Sequence, residues 1–98
     1  MEVSFADREL ERLWMEEGFS LGLPSFVTTS FRRKMGYLIQ ASDTRDLRAM
    51  RSLNFEKLKG KRQHEYSIRL NDQFRLVFEM SSEGGKQRII LKSIEDYH

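Results

Sequence analysis

Ninety-eight residues, 39% hydrophobic and 11% aromatic, suit one small folded domain with a single core and exclude a disordered tail. The chain has no cysteine, which excludes disulfides and thiolate metal sites, and no apolar run approaches the roughly 20 residues that span a bilayer. The net charge of +2 hides an asymmetry of −4 over residues 1–30, +7 over 31–62 and −1 over 63–98. Such a basic middle third predicts a local anion-binding surface, with nucleic acid the commonest partner, or else a solvated charged helix face.

Met1 to Phe5 is compatible with a short strand, and it lacks the basic start and apolar stretch of a signal peptide, so a cytoplasmic protein is expected. From Asp7, an N-cap candidate, to Glu17 the apolar residues Leu10, Leu13 and Trp14 fall at helical spacing, and Gly18 is a natural stop. Pro24 opens a second predicted helix. There Val27, Phe31, Met35 and Leu38 share one face while Arg32, Arg33 and Lys34 spread around the other. Thr44 to Met50 predicts another helical turn. Arg51 to Glu65 shows no clean period but carries five bases. Tyr66–Leu70, Phe74–Met80 and Arg88–Ile94 read as strands. No linker or repeat divides the chain, so residues 1–98 are expected to form one α+β domain, with helices packed on one face of an antiparallel sheet.

The first hairpin has a register that the sequence itself selects. A two-residue loop would set Ile68 against Arg75 and place a charge on the apolar face. A three-residue loop, Asn71-Asp72-Gln73, pairs Tyr66 with Phe78, Ile68 with Leu76 and Leu70 with Phe74, so all six share the buried face. The same register sets Arg69 opposite Arg75 on the other face. Like charges there are destabilising unless an anion lies between them, nearby acids pair with them, or solvent screens them as they splay apart.

The run Phe55-Glu56-Lys57-Leu58-Lys59-Gly60-Lys61-Arg62, the segment Tyr66-Ser67-Ile68-Arg69-Leu70-Asn71-Asp72-Gln73-Phe74-Arg75-Leu76 and the ending Glu95-Asp96-Tyr97-His98 together resemble the HigB branch of the RelE/ParE toxin superfamily. The resemblance implies a RelE-like fold, a small twisted antiparallel sheet with two N-terminal helices on one face. It also implies the toxin of a type II toxin–antitoxin pair that cuts messenger RNA in the ribosomal decoding site, and a helix-turn-helix, HigA-like antitoxin as partner. No metal or cofactor is expected.

Metal-free RNA cleavage requires a base for the ribose 2′-hydroxyl, positive donors for the phosphate and an acid for the leaving oxygen. Arg75 offers a bidentate fork from a strand, with Lys59 as a second cation and Lys57 as its substitute. His98 titrates near neutrality and can move a proton. Tyr97 can stack, donate or transfer a proton, and Asp96 can orient His98. If the end stays strictly extended, however, Tyr97 and His98 point to opposite faces. Where many HigB-like toxins place a histidine, this chain has Glu56, which is either a general base or a surface acid paired with a lysine. Arg51, Lys57, Lys61, Arg62 and Arg69 are the expected RNA contacts, and the bases at 32–34, 45 and 48 extend them toward ribosomal RNA. Two other readings remain. One is a ParE-type, non-enzymatic gyrase binder, which would not need Arg75 and the terminal pair; the other is a degenerate toxin that only binds its antitoxin.

Overall fold

A computed structural model describes residues 1–97. In chain order the elements are β1 (Glu2–Phe5), α1 (Arg8–Met15), α2 (Ser25–Gln40), α3 (Thr44–Ala49), a 3-10 turn (Arg51–Leu53), β2 (Glu56–Lys57), a second 3-10 turn (Gly60–Arg62), β3 (Glu65–Arg69), β4 (Phe74–Glu83) and β5 (Lys86–Asp96). The Asp7 carboxylate accepts from the amides of Glu9 at 2.7 Å and Leu10 at 3.3 Å, satisfying two orphan donors at the start of α1. Pro24 immediately precedes α2, whose Val27, Phe31, Met35 and Leu38 are fully buried. They pack with Leu10, Leu13, Ile68, Leu76, Phe78, Ile89 and Leu91 in the core between helices and sheet. None of the described helices is long and apolar enough to cross a membrane.

The sheet runs β1-β5-β4-β3-β2 and is mixed. The expected α+β fold is present, and α3 forms where the helical turn over Thr44–Met50 was expected; the all-antiparallel sheet alone is amended, because β1 pairs with β5 in parallel, Val3 facing Ile89 and Phe5 facing Leu91. Parallel pairing needs a long crossover, and everything between β1 and β5 supplies it. The β3–β4 hairpin has the predicted register, with Tyr66 opposite Phe78, Ile68 opposite Leu76 and Arg69 opposite Arg75. Its loop is held by Asn71, whose side-chain oxygen accepts from the amides of Gln73 (3.0 Å) and Phe74 (2.6 Å). The β4–β5 turn is tighter than the gap between the expected strands Phe74–Met80 and Arg88–Ile94, because pairing continues to Glu83 opposite Lys86. Gly84 and Gly85 take φ values of 59° and 80°, the doubly left-handed pair that two-residue hairpins favour.

A bulge interrupts β4–β5 pairing: Val77 faces Ser93, the next residue Phe78 faces Leu91, and Lys92 is the extra residue. Ile94 and Leu91, three apart, could not share a face of a regular strand. The bulge lets both turn toward the helices, and Ser93, Glu95 and Tyr97 then point to the opposite face, where Arg75 lies.

Two bases expected on the solvent side of α2 are instead built into the fold. Arg32 donates to the carbonyls of Glu16, Glu17 and Phe19, closing the end of α1. Lys34 is 5% exposed and donates to the carbonyls of Arg69 and Leu70. Its long aliphatic stem can lie along apolar surface while the ammonium reaches the strand end.

Candidate functional site

On the helix-free face, Arg75, Ser67, Val77 and Leu58 are buried outside the main core. The Arg75 guanidinium is fixed from two sides: Nε donates to the Ser67 hydroxyl at 2.8 Å and Nη2 to the Asn54 carbonyl at 2.6 Å. Among the described residues no carboxylate pairs with it. Its expected like-charge neighbour Arg69 forms an ion pair with the exposed Asp72. The Tyr97 ring lies 5.8 Å from the Arg75 guanidinium carbon, and the Tyr97 amide donates to the Gln73 carbonyl at 2.6 Å, which ties the end of the chain to the β3–β4 turn. Tyr97 thus shares the face of Arg75. His98 lies outside the described residues, so the expected division of Tyr97 and His98 between two faces is decided for Tyr97 alone. Asp96 pairs across the sheet with Phe74 and accepts from the Gln73 side-chain amide at 2.9 Å.

Asn54 joins this group to Glu56. It occupies the left-handed region at φ 45°, where asparagine is among the few side chains tolerated. From there its carbonyl faces Arg75, and its side-chain amide donates to Glu56 Oε1 at 3.2 Å. Glu56 pairs across from Ser67, which puts it on the Arg75 side, whereas Lys57 pairs with Tyr66 on the helix side. Phe55, stacked on Tyr66 at 5.5 Å and on Phe78 at 6.1 Å, anchors the segment between Asn54 and Glu56.

Beneath Arg75, Glu95 is its cross-strand partner on β5. Arg62 reaches over from the second 3-10 turn, with Nη1 at 2.7 Å from Glu95 and Nε at 2.6 Å from Glu65. These bonds raise the already high Arg62 pKa, and the Arg62 bond holds the Glu95 carboxyl below its ordinary value against the opposing effect of burial. Ser93 adds a hydroxyl bond to Glu95 at 2.7 Å. Arg62 is therefore committed to two carboxylates rather than projecting free for RNA. Glu95 in turn is neutralised by Arg62 and leaves Arg75 unquenched.

The remaining expected residues scatter more widely. Lys59 is exposed just before Gly60, whose φ of 69° needs the freedom of glycine and bends the loop back toward β3. Lys57 and Lys61 are exposed on the same segment, and Arg51 lines a shallow cleft with Arg48, Asn54 and Phe55. Asn54 and Ser67 complete the arrangement but were not among the expected site residues. Ser67 could have been found from the register, because it shares a face with Arg69; nothing in the sequence marks Asn54 as the carbonyl partner. Among the described residues, His64, Glu65 and Glu79 bring ligand atoms within 4.8 Å of one another, a spacing that could hold a cation. Glu65 and Glu79 are already bonded to Arg62 and Lys92.

The fold is that of the YoeB and ParE class of toxins. It superimposes with a TM-score of 0.59 on the YoeB/ParE toxin from Agrobacterium tumefaciens, at 14% identity over 100% of both chains. A chain of the YoeB-YefM complex from Staphylococcus aureus gives 0.56 at 17% identity, covering 100% of this chain and 97% of that one. In sequence, Toxin HigB-1 of Vibrio cholerae is 33% identical over 79 residues, which is 81% of this chain and 83% of that protein. The model of the HigB-like toxins, RelE-like toxins of the type II toxin–antitoxin system HigB, matches residues 3–98, and the chain belongs to that family.

Proposed function

We propose that this toxin is a ribosome-dependent endonuclease that cuts messenger RNA in the decoding site without a metal. The observation that carries the reading is Arg75: a buried guanidinium on a rigid strand, held by neutral groups, with no acid against it among the described residues and a tyrosine ring above it. A structural arginine is normally matched by a carboxylate. One held by a hydroxyl and a carbonyl keeps its charge for an incoming anion, and its fixed fork suits a phosphate.

In the proposed reaction the 2′-oxygen attacks the adjacent phosphorus and the bond to the 5′-oxygen breaks, leaving a cyclic phosphate and a 5′-hydroxyl. Arg75 stabilises charge on the phosphate oxygens, aided by Lys59. Glu56, steadied by Asn54, takes the 2′-hydroxyl proton. His98 protonates the leaving oxygen with Asp96 orienting it, roles assigned from the sequence alone. Tyr97 stacks on an unpaired base or donates to the phosphate. Arg51, Lys57 and Lys61 contact RNA phosphates, and Arg69 joins them on leaving Asp72. Arg62 acts as a positioning residue through Glu95.

A helix-turn-helix, HigA-like antitoxin is the proposed partner and the cytoplasm the proposed location. Family membership and the YefM-bound relative support the antitoxin. The test is a translation extract programmed with a defined message. Wild-type protein is expected to cut within codons on ribosomes and to spare the same RNA when ribosomes are absent. If Arg75→Ala combined with His98→Ala cut as fast as wild type, the proposed site would be wrong.

A further inference from the structure

Where α2 passes the end of β3, a cleft of about 460 Å³ is lined by Arg33, Lys34, Tyr37, Ser52, Arg69 and Asn71. Lys34 is its buried floor, donating to the carbonyls of Arg69 and Leu70. Among the described residues no carboxylate pairs with that ammonium. The charges that bear on it are Arg33, Arg69 and Arg75, all positive, and burial together with these like charges lowers its pKa. The carbonyl dipoles offset only part of the cost of burying a cation among cations.

The rest of the cleft is rich in donors. Arg33 is exposed and has no acid partner among the described residues, and the Tyr37 and Ser52 hydroxyls and the Asn71 amide group face no carboxylate in the lining. The nearby acid that pairs with Arg69 is Asp72, whose side chain is 96% exposed and which does not line the cleft. An exposed pair of that kind is worth little and gives way readily.

We propose that this cleft is a second phosphate-binding site, which takes an RNA backbone phosphate next along the strand from the one held at Arg75. The identity of the ligand rests on the RNA-cleavage reading; the excess of positive charge does not. RNA is favoured over an acidic peptide by position. Arg69 lines this cleft and is also the cross-strand neighbour of Arg75 in the β3–β4 pairing, so one residue pair links the cleft to the strand position that carries Arg75. The phosphate could belong to the message or to ribosomal RNA, and the two sources are separable.

The experiment measures binding of a fluorescein-labelled, 12-nucleotide single-stranded RNA and, separately, of ribosomes without message, between about 50 and 200 mM salt. Wild type is compared with Arg33→Ala, which touches only an exposed side chain, and with Arg33→Ala/Lys34→Met, checked for folding by circular dichroism. The expected result is a 5- to 10-fold loss of affinity. On the oligonucleotide, the log–log salt slope should shrink by about 0.7 for each phosphate that the variant no longer neutralises. Loss on the oligonucleotide assigns the phosphate to the message, and loss confined to ribosomes assigns it to ribosomal RNA; either supports the site. Unchanged affinity and slope in both arms for Arg33→Ala overturns it, as does unchanged RNA binding alongside lost binding of a poly-glutamate peptide. Because these readouts are equilibria, failure of the cleavage reading would appear separately, as wild-type binding without cut product.

Discussion

Arg75 is held by hydrogen bonds that depend on planar geometry, so charge alone should not replace it. Arg75→Lys is expected to lower single-turnover cleavage in a translation extract by about 10²–10³-fold, the usual cost of losing one well-aimed donor to a developing oxyanion. Circular dichroism should show the fold retained. Glu56→Gln is expected to slow cleavage by about 10²-fold, the lower end for loss of a general base, and an unaltered rate would reduce Glu56 to a ligand of Asn54. The pair Arg62–Glu95 has a different signature. Because the folded Glu95 pKa is depressed, its stabilising effect is fully present above the unfolded value of about 4.3 and is lost as pH falls through and below it. Arg62→Gln should therefore lower stability at pH 7 by about 1–2 kcal/mol, toward the lower end for charge-assisted bonds because the Arg62 side chain is 43% exposed. The difference from wild type should shrink by pH 3, as urea titrations at the two pH values would measure. At this scale the sequence singles out Arg75 and Tyr97, and the fold brings the two to one face. It was silent on Asn54, which acts through its backbone carbonyl, and misleading on Lys34, whose stem lets a charged residue lie beside an apolar stripe.

Elements decide which of these side chains meet. The β3–β4 register was legible because only one loop length puts Tyr66, Ile68, Leu70, Phe74, Leu76 and Phe78 on one face. The bulge at Lys92 was not, since Arg88–Ile94 reads as one continuous strand with no glycine or proline to mark a break. Yet the bulge aims Glu95 and Tyr97, because without it the alternation would carry both to the helix side. Gly60 is the comparable device in the basic loop. At φ 69° a side chain would cost about 1–2 kcal/mol, so Gly60→Ala is expected to lower the unfolding midpoint and to reduce cleavage by displacing Lys59. Thermal denaturation read beside the cleavage rate would check both, and a stability loss with full activity would free Lys59 of its assigned role. The parallel β1–β5 pairing was also hidden, because a four-residue strand carries no mark of its direction or partner.

Over the whole molecule, the basic third of the chain turns out to be divided in its uses. Arg32 and Lys34 tie elements together, Arg45 and Arg62 pair with acids, and Arg33, Arg48, Arg51, Lys57, Lys59 and Lys61 remain exposed. Binding to ribosomes should accordingly weaken with salt as expected for a few neutralised phosphates, not for the ten bases of residues 31–62. The order of the strands adds a timing consequence. Among the described strands β5 comes last in chain order, yet it lies between β1 and β4, and it carries Glu95 and leads into Tyr97. A nascent chain that has not yet emerged through residue 96 cannot join its first strand to the rest of the sheet or set Tyr97 over Arg75. β1 and β4 therefore stay unjoined until residues 86–96 have been made, so the face that carries Arg75 is closed only when this one strand slots between its two neighbours.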